Sequence, residues 1–269
     1  MTSTKNNCRK RICDKPLSVE LERLYRIYAK RRYVHPDPLE LVLRYERIED
    51  REIAALVASA LAYGRVCGIL RSAGEVLEIF GSSPYKYIRK GSLPKFRRDF
   101  AGFKYRFHTG EDLSLLFEGV RLALHEFGSL EACFLAGGDP ADDVRGTRTA
   151  FAARLCRMFP EGKSTLLPSP ERGSACKRLN LILRWLVRHD EVDPGGWTNV
   201  SKSALIVPLD THMHRIARSL GLTSRNAADW KTAEEVTKAF SKYVPEDPVR
   251  YDFVLTRFGI HPDFGRNPL

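Results

Sequence analysis

The chain has 269 residues, of which 43% are hydrophobic and 29% are charged, so it can fold around a substantial core and is not a disordered chain. Lysine and arginine number 44 against 33 aspartate and glutamate, and the resulting net charge of +11 favours a polyanionic partner. No apolar stretch approaches the length of a membrane span, so we expect no membrane partner.

The amino-terminal segment, residues 1–15, is polar and basic, and we predict that it forms a flexible arm. It lacks the apolar run of a signal peptide. Six cysteines are scattered along the chain without a CxxC pair: Cys8, Cys13, Cys67, Cys133, Cys156 and Cys176. Reduced thiols in the cytoplasm are the simplest interpretation.

From residue 17 onwards, apolar residues recur at steps of three and four, which is the period of amphipathic helices. Asp50 is predicted to cap a strongly apolar, alanine-rich helix that reaches Leu61. Further helices are expected at 17–28, from 39, at 66–79, 113–127, 130–135 and 150–159, after 174, after 210, and at 233–240 and 248–258. No run alternates in the manner of a strand, so the predicted fold class is all-α.

Lys177 follows a loop rich in proline, glycine and serine, at residues 160–173. If Ser174 is the N-cap, Lys177 lies in the first turn of a helix. The unpaired amides and the helix dipole disfavour a positive charge at that position, as a lysine nucleophile requires. An exposed surface lysine is the alternative interpretation.

Asp210 stands 33 positions after Lys177, at the end of an apolar approach and before another helix. An aspartate at this position is an ordinary N-cap. A carboxylate held there and facing a cleft could also stabilise positive charge on a sugar or carry a proton. Both interpretations remain open at the level of sequence.

Two histidines close to Asp210 suggest a metal site, but the spacing argues against one. His212 lies two positions from both Asp210 and His214, and positions two apart point in nearly opposite directions on a helix. Only Asp210 and His214 could share a face, and two ligands make a weak site. We therefore expect no metal and no other cofactor.

Residues 84–107 interleave aromatic and basic side chains. The set comprises Tyr85, Lys86, Tyr87, Arg89, Lys90, Lys95, Phe96, Arg97, Arg98, Lys104, Tyr105, Arg106 and Phe107. Aromatic groups between cations suit phosphate contact and base stacking. The alternative is that the aromatic rings anchor short helices while the charges are solvated.

Two segments resemble the helix-hairpin-helix (HhH-GPD) DNA glycosylase superfamily. Residues 177–183, KRLNLIL, resemble the helix in which endonuclease III-type enzymes carry a nucleophilic lysine. Residues 209–222, LDTHMHRIARSLGL, resemble the segment that supplies the aspartate, in the same order along the chain. More closely, the whole chain resembles an uncharacterised conserved family, DUF2400, through LAYGR at 61–65, GSACKR at 173–178, PLDTH at 208–212 and KTA at 231–233.

The sequence departs from the superfamily pattern in three places. The hairpin should carry two closely spaced glycines, whereas here residues 167–168, LP, are separated from Gly173 by four residues. The spacing between Lys177 and Asp210 is longer than in most members and resembles the archaeal 8-oxoguanine branch. No cysteine follows Cys176, which excludes the carboxy-terminal iron–sulfur cluster of endonuclease III.

The resemblance implies a two-lobed glycosylase-like fold. A central helical barrel at 50–200 would carry the hairpin-helix with Lys177, and residues 16–49 with 201–269 would form the second lobe. Lys177 and Asp210 would be catalytic in the cleft between them. Eight further residues would contact DNA: Tyr63, Arg65, Gly173, Ser174, Arg178, His212, His214 and Arg215.

The implied activity is base-excision repair by a glycosylase/AP lyase that acts on a damaged base, with oxidised purine suggested by the long spacing. The partner would be damaged double-stranded DNA, and the protein would be a monomer that joins the nucleoid when bound. The superfamily often keeps a wedge near Tyr63 and Arg65 that fills the vacated base stack. The alternative function is a non-catalytic DNA- or RNA-binding protein on the same fold.

Overall fold

The computed structural model describes residues 16–258, and the predicted basic arm at 1–15 lies outside this range. The described chain is mostly helical, which confirms the all-α class. Its helices are α1 (Leu17–Tyr28), α2 (Leu39–Val42), α3 (Ile48–Ala60), α4 (Val66–Phe80), α5 (Pro84–Lys90), α6 (Leu93–Asp99), α7 (Gly110–Phe127), α8 (Leu130–Leu135), α9 (Val144–Leu155), α10 (Lys177–Val187), α11 (Thr211–Ser219), α12 (Trp230–Ser241) and α13 (Asp252–Arg257).

Helix α3 lies at the centre of the core. Residues 52–60 of this helix are all buried, because α2, α4, α5 and α10 pack around it. Its alanines let these neighbours approach closely, as the all-round apolar pattern predicted. The pairing of α3 with α10 matters most for function, because it brings the loop after α3 next to the start of the helix that carries Lys177.

The prediction that Asp50 caps α3 is wrong. The helix begins at Ile48, and Asp50 lies in its first turn. Its Oδ1 atom accepts hydrogen bonds from Ser83 Oγ at 2.7 Å and from the Tyr85 amide at 2.9 Å. The buried carboxylate therefore satisfies donors at the start of α5, a tertiary role that capping statistics within one segment cannot indicate.

A two-stranded hairpin interrupts the helices, although the sequence predicted no strand. Strands β1 (Lys104–Tyr105) and β2 (His108–Thr109) pair antiparallel, with Lys104 opposite Thr109 and Tyr105 opposite His108. Two residues per strand are too few to produce a visible alternation. Arg106 in the turn adopts a positive φ of 54°.

A buried ion network ties α10 to the segments that follow it. Arg184 contacts Asp252 on α13 at 2.5 Å and Asp193 at 3.1 Å. Arg188 contacts Asp247 at 3.0 Å and also pairs with Asp193. Each buried charge has an opposite partner, so the network fixes the position of α13 relative to α10 without leaving an isolated ion.

Within residues 16–258, no helix is both long and apolar enough to cross a membrane. The four cysteines in this range are free, with Cys67 exposed and the others buried. Histidine, cysteine and acidic side chains of the described segment form no group of three or more that could hold a metal ion.

Candidate active site

Helix α10 begins at Lys177, two residues later than a Ser174 cap would give. The N-cap is Cys176, whose backbone is left-handed at φ 50° and ψ 34°. Ser174 instead accepts a hydrogen bond from the Cys176 amide at 3.2 Å. The expected cap is therefore wrong by two residues, whereas the expected placement of Lys177 in the first turn is correct.

Asp210 begins helix α11 and uses its two carboxylate oxygens differently. Oδ1 accepts hydrogen bonds from the amides of His212 at 2.9 Å and Met213 at 2.8 Å. Oδ2 lies 3.2 Å from Nζ of Lys177. The N-cap and the cleft-facing carboxylate, which were alternatives in the sequence, are thus both present in one side chain.

The electrostatic setting keeps Asp210 ionised. Burial by itself would raise the pKa of this carboxyl, but the charge of Lys177 and the hydrogen bond from the Met213 amide outweigh burial and hold the pKa below its ordinary value. The side chains of Lys177 and Asp210 are 33% and 26% exposed, so both remain accessible from outside.

Lys177 and Asp210 line a cleft of about 300 Å³. Its walls come from both stretches that the sequence assigned to different lobes: residues 62–69 and 177–185 on one side, and residues 36–38, 208–210 and 252–257 on the other. The apolar part consists mainly of Pro36, Val66, Ile69, Leu181, Trp185 and Pro208. The division into lobes stays a prediction, since α2 packs directly on α3 and α4.

The polar part of the cleft contains residues that the sequence did not single out: Asp37, Arg184, Asp252 and Arg257. Asp252 is 3% exposed, and burial raises its pKa to about 6 with a further contribution from the charge of Asp210, although Arg184 opposes the rise. Arg184 follows Lys177 by two helical turns and so shares its face of α10, which was the available sequence signal. No comparable signal links Asp252 to the site.

The loop before Lys177 is attached to α12 rather than free. Gly173 adopts a left-handed φ of 74°, and its carbonyl accepts a hydrogen bond from the Trp230 amide at 3.1 Å. Ser174 forms a β-bridge with Asp229. Arg178 turns inward, where Nη1 donates to the Ala60 carbonyl at 3.0 Å and so caps the end of α3.

The three expected contact residues on α11 lie in different environments. His214 is buried, and its Nε2 lies 2.9 Å from the Arg225 carbonyl, so its side chain belongs to the core. His212 is half-buried, with a pKa lowered by burial although Asp210 opposes this. Arg215 is exposed and donates from Nη2 to His212 Nδ1 at 2.8 Å.

Tyr63 and Arg65 flank Gly64 in the loop between α3 and α4. The Tyr63 hydroxyl donates to the Tyr105 carbonyl at 3.0 Å, so the ring is held against the β-hairpin. Arg65 is exposed and stands between Gly64 and Val66, which both line the cleft. Arg65 is therefore adjacent in sequence to the cleft lining on both sides, whereas Tyr63 contacts the hairpin.

The aromatic residues at 84–107 divide between the two interpretations that the sequence left open. Phe96 is fully buried and Tyr105 is 8% exposed, so these rings are structural anchors. Phe107 is 81% exposed at the tip of the hairpin and anchors nothing.

The DUF2400 family, described as a protein of unknown function, matches residues 37–261, and the chain belongs to this family. The resemblance to that family is therefore confirmed. No curated protein and no solved structure matches the chain. The resemblance to the glycosylase superfamily stays a prediction.

Proposed function

We propose that the protein is a DNA glycosylase with AP lyase activity, in which Lys177 is the nucleophile and Asp210 stabilises cationic character on the sugar. The observation that carries the proposal is the 3.2 Å separation of Lys177 Nζ and Asp210 Oδ2 at the start of two helices, in a cleft of about 300 Å³. An amine and an ionised carboxylate at this distance are the groups that Schiff-base excision requires.

The chemistry begins when a damaged nucleotide rotates out of the duplex into the cleft. The Lys177 ammonium first gives up the proton that it shares with Asp210, and the resulting amine donates its lone pair to the anomeric carbon. The base leaves with the electrons of the glycosidic bond and takes up that proton. Opening of the sugar ring gives a Schiff base. Loss of a proton from the adjacent carbon then expels the 3′ phosphate, and water releases the enzyme from the remaining imine.

Asp210 suits the stabilising role because its position is fixed before substrate arrives. Its Oδ1 atom is held by two amides, at 2.9 and 2.8 Å, so Oδ2 has little freedom to rotate away from Lys177. Its lowered pKa keeps the negative charge available at neutral pH. Groups that are oriented in advance stabilise a developing charge without reorganising during the reaction.

The walls of the cleft suit a heterocyclic base. The partly exposed apolar side chains Val66 and Leu181 offer surface for the faces of a ring, and Asp37 offers a polar group for its edge. We propose damaged duplex DNA as the partner, with a monomeric protein acting in the cytoplasm and on the nucleoid. An oxidised purine is the first lesion to test.

The test is borohydride trapping with duplex DNA that carries an abasic site or 8-oxoguanine. We expect a covalent adduct with the wild type and none with Lys177→Gln, while both bind the DNA. Lys238→Gln, an exposed lysine on α12, is the matched control and should trap normally. An adduct that survives in Lys177→Gln would contradict the assignment of the nucleophile.

A non-catalytic nucleic-acid binder is the second candidate, and the exposed Phe107 favours it, because base stacking needs no chemistry. This function predicts binding that weakens steeply with salt and no covalent adduct with any lesion. Preference for structured RNA over damaged duplex would identify the RNA-binding form of the same alternative.

A further inference from the structure

Phe107 is the outlier among exposed apolar side chains of the described residues. It is 81% exposed, whereas Val19, the next large apolar side chain, is 51% exposed. A single exposed apolar residue is ordinary on a protein surface. Its significance here depends on how the ring is held and what lies around it.

The hairpin that carries Phe107 is held rigidly against the loop after α3. The Tyr105 hydroxyl donates to the Tyr63 carbonyl at 2.5 Å, and the Tyr63 hydroxyl donates to the Tyr105 carbonyl at 3.0 Å. On the next strand, His108 is buried and its Nε2 lies 2.8 Å from Thr165 Oγ1. Phe107 is thus presented on a fixed support.

Alternating guanidinium groups and aromatic rings lead from the start of α10 to Phe107. The Arg178 guanidinium lies 5.0 Å from the centre of the Tyr63 ring, and the Arg106 guanidinium lies 6.0 Å from Tyr63 and 5.6 Å from Phe107. We call these four residues the cation–ring ladder. It begins at the residue next to Lys177 and ends at a ring that is open to solvent.

The ladder also borders the cleft mouth. A Cβ atom on Gly64, which lines the cleft, would come within 2.9 Å of Arg106 Nη1, so the third member of the ladder lies directly over this loop. Lys104, Arg106 and Arg65 are all exposed, and none of them forms an ion pair with another residue between 16 and 258. The surroundings of Phe107 therefore favour a polyanion.

We propose that Phe107 stacks on a nucleobase of the bound nucleic acid and that this base extends the cation–ring ladder by one ring. Every base has a π face that can occupy this position, while the neighbouring cations hold the phosphates. The identity of the partner rests on the proposed function. The stacking contact itself does not require Lys177 to be catalytic.

The experiment measures binding of a duplex with an abasic site and of a single-stranded oligothymidylate by four proteins: wild type, Phe107→Ala, Phe107→Leu and Phe107→Trp. Loss of one base–aromatic stack weakens binding by roughly 10- to 100-fold. We expect this loss in Phe107→Ala and Phe107→Leu, since leucine is apolar but has no ring. Phe107→Trp should bind as well as the wild type, and its added fluorescence should be quenched by DNA.

Ile79→Trp is the matched control, because Ile79 is 43% exposed near the far end of α4. Its fluorescence should not respond to DNA. Unchanged binding by Phe107→Ala, or no quenching in Phe107→Trp, would overturn the inference. Concentration-dependent self-association that Phe107→Ala abolishes would also overturn it, by identifying the ring as a protein contact.

Borohydride trapping on the same proteins separates the inference from the proposed function. If the wild type forms an adduct through Lys177 but Phe107→Ala binds normally, the stacking inference is wrong and the proposed function stands. If no protein forms an adduct but Phe107→Trp is quenched by DNA, the glycosylase function is wrong and the stacking contact stands. Absence of any binding to nucleic acid would contradict both.

Discussion

Replacing Asp210 by asparagine separates the two roles that this side chain combines. Asparagine retains an oxygen that can accept the hydrogen bonds from the amides of His212 and Met213, but it removes the charge that faces Lys177. Asp210→Ala removes both. The pair of variants therefore measures the helix cap and the cleft charge independently.

The magnitudes follow from the geometry. Lys177 and Asp210 are 33% and 26% exposed, and ion pairs with this access to solvent contribute about 0–1 kcal/mol to stability. Loss of a helix N-cap costs about 1 kcal/mol. We therefore expect Asp210→Asn to lower the free energy of unfolding by less than about 1 kcal/mol and Asp210→Ala by about 1–2 kcal/mol. Base excision should fall roughly 100-fold or more in both, because each loses the stabilising charge.

The assay pairs urea unfolding with single-turnover excision of the lesion that the wild type prefers. Parallel binding measurements show whether a lost rate reflects lost affinity. Full excision by Asp210→Asn would refute the role assigned to the carboxylate. A loss of stability in Asp210→Asn equal to that in Asp210→Ala would refute the separation of cap and charge.

Two further predictions concern the stability of the fold. The first involves Glu52, a buried residue of α3 that accepts hydrogen bonds from the amides of Leu130 and Glu131 and from Trp197 Nε1. Burial raises the pKa of Glu52 from 4.5 to about 7, although its hydrogen bonds oppose the rise. The wild type should therefore lose up to about 3 kcal/mol of stability as the pH rises from 4.5 past 7. Glu52→Gln should lack this decline. Urea midpoints at pH 5 and pH 8 test this, and a difference between the two proteins that does not change with pH would contradict it. Gly64→Ala should destabilise the protein by about 1–3 kcal/mol, because φ is +95° and the new Cβ would meet Arg106 at 2.9 Å. Gly74→Ala on α4, where a Cβ meets nothing within 4 Å, is the control. A lower melting temperature for Gly74→Ala than for Gly64→Ala would contradict the expectation.

Much of the helical framework could be predicted because apolar periodicity is a local property of the sequence. The buried helix α3 and the starts of the helices at Lys177 and Asp210 were placed within a few residues. The contact between Lys177 and Asp210 depends on tertiary structure, and only the family resemblance indicated it. Residue types that begin helices are common, so the spacing of Lys177 and Asp210 alone could not indicate that the two side chains are in contact.

The errors share a physical cause, which is that tertiary partners override local preference. The left-handed Cys176 takes the cap position expected for Ser174, and the carboxylate of Asp50 serves a different helix. Arg178 donates from its guanidinium to the Ala60 carbonyl, a tertiary contact that the sequence did not indicate, and its contact with DNA stays a prediction. The exposure of Phe107 depends on a hairpin too short to leave a pattern in the sequence.

Lys177 is the residue that we propose forms the covalent bond to the sugar. This assignment is tested most directly by reducing the protein–DNA complex with borohydride, digesting the adduct and locating the modified residue by mass spectrometry. We expect a sugar-derived mass addition on the peptide that contains Lys177, with no modification of Lys238. A stable adduct on any other amine, or efficient excision of a base without an adduct, would contradict the assignment.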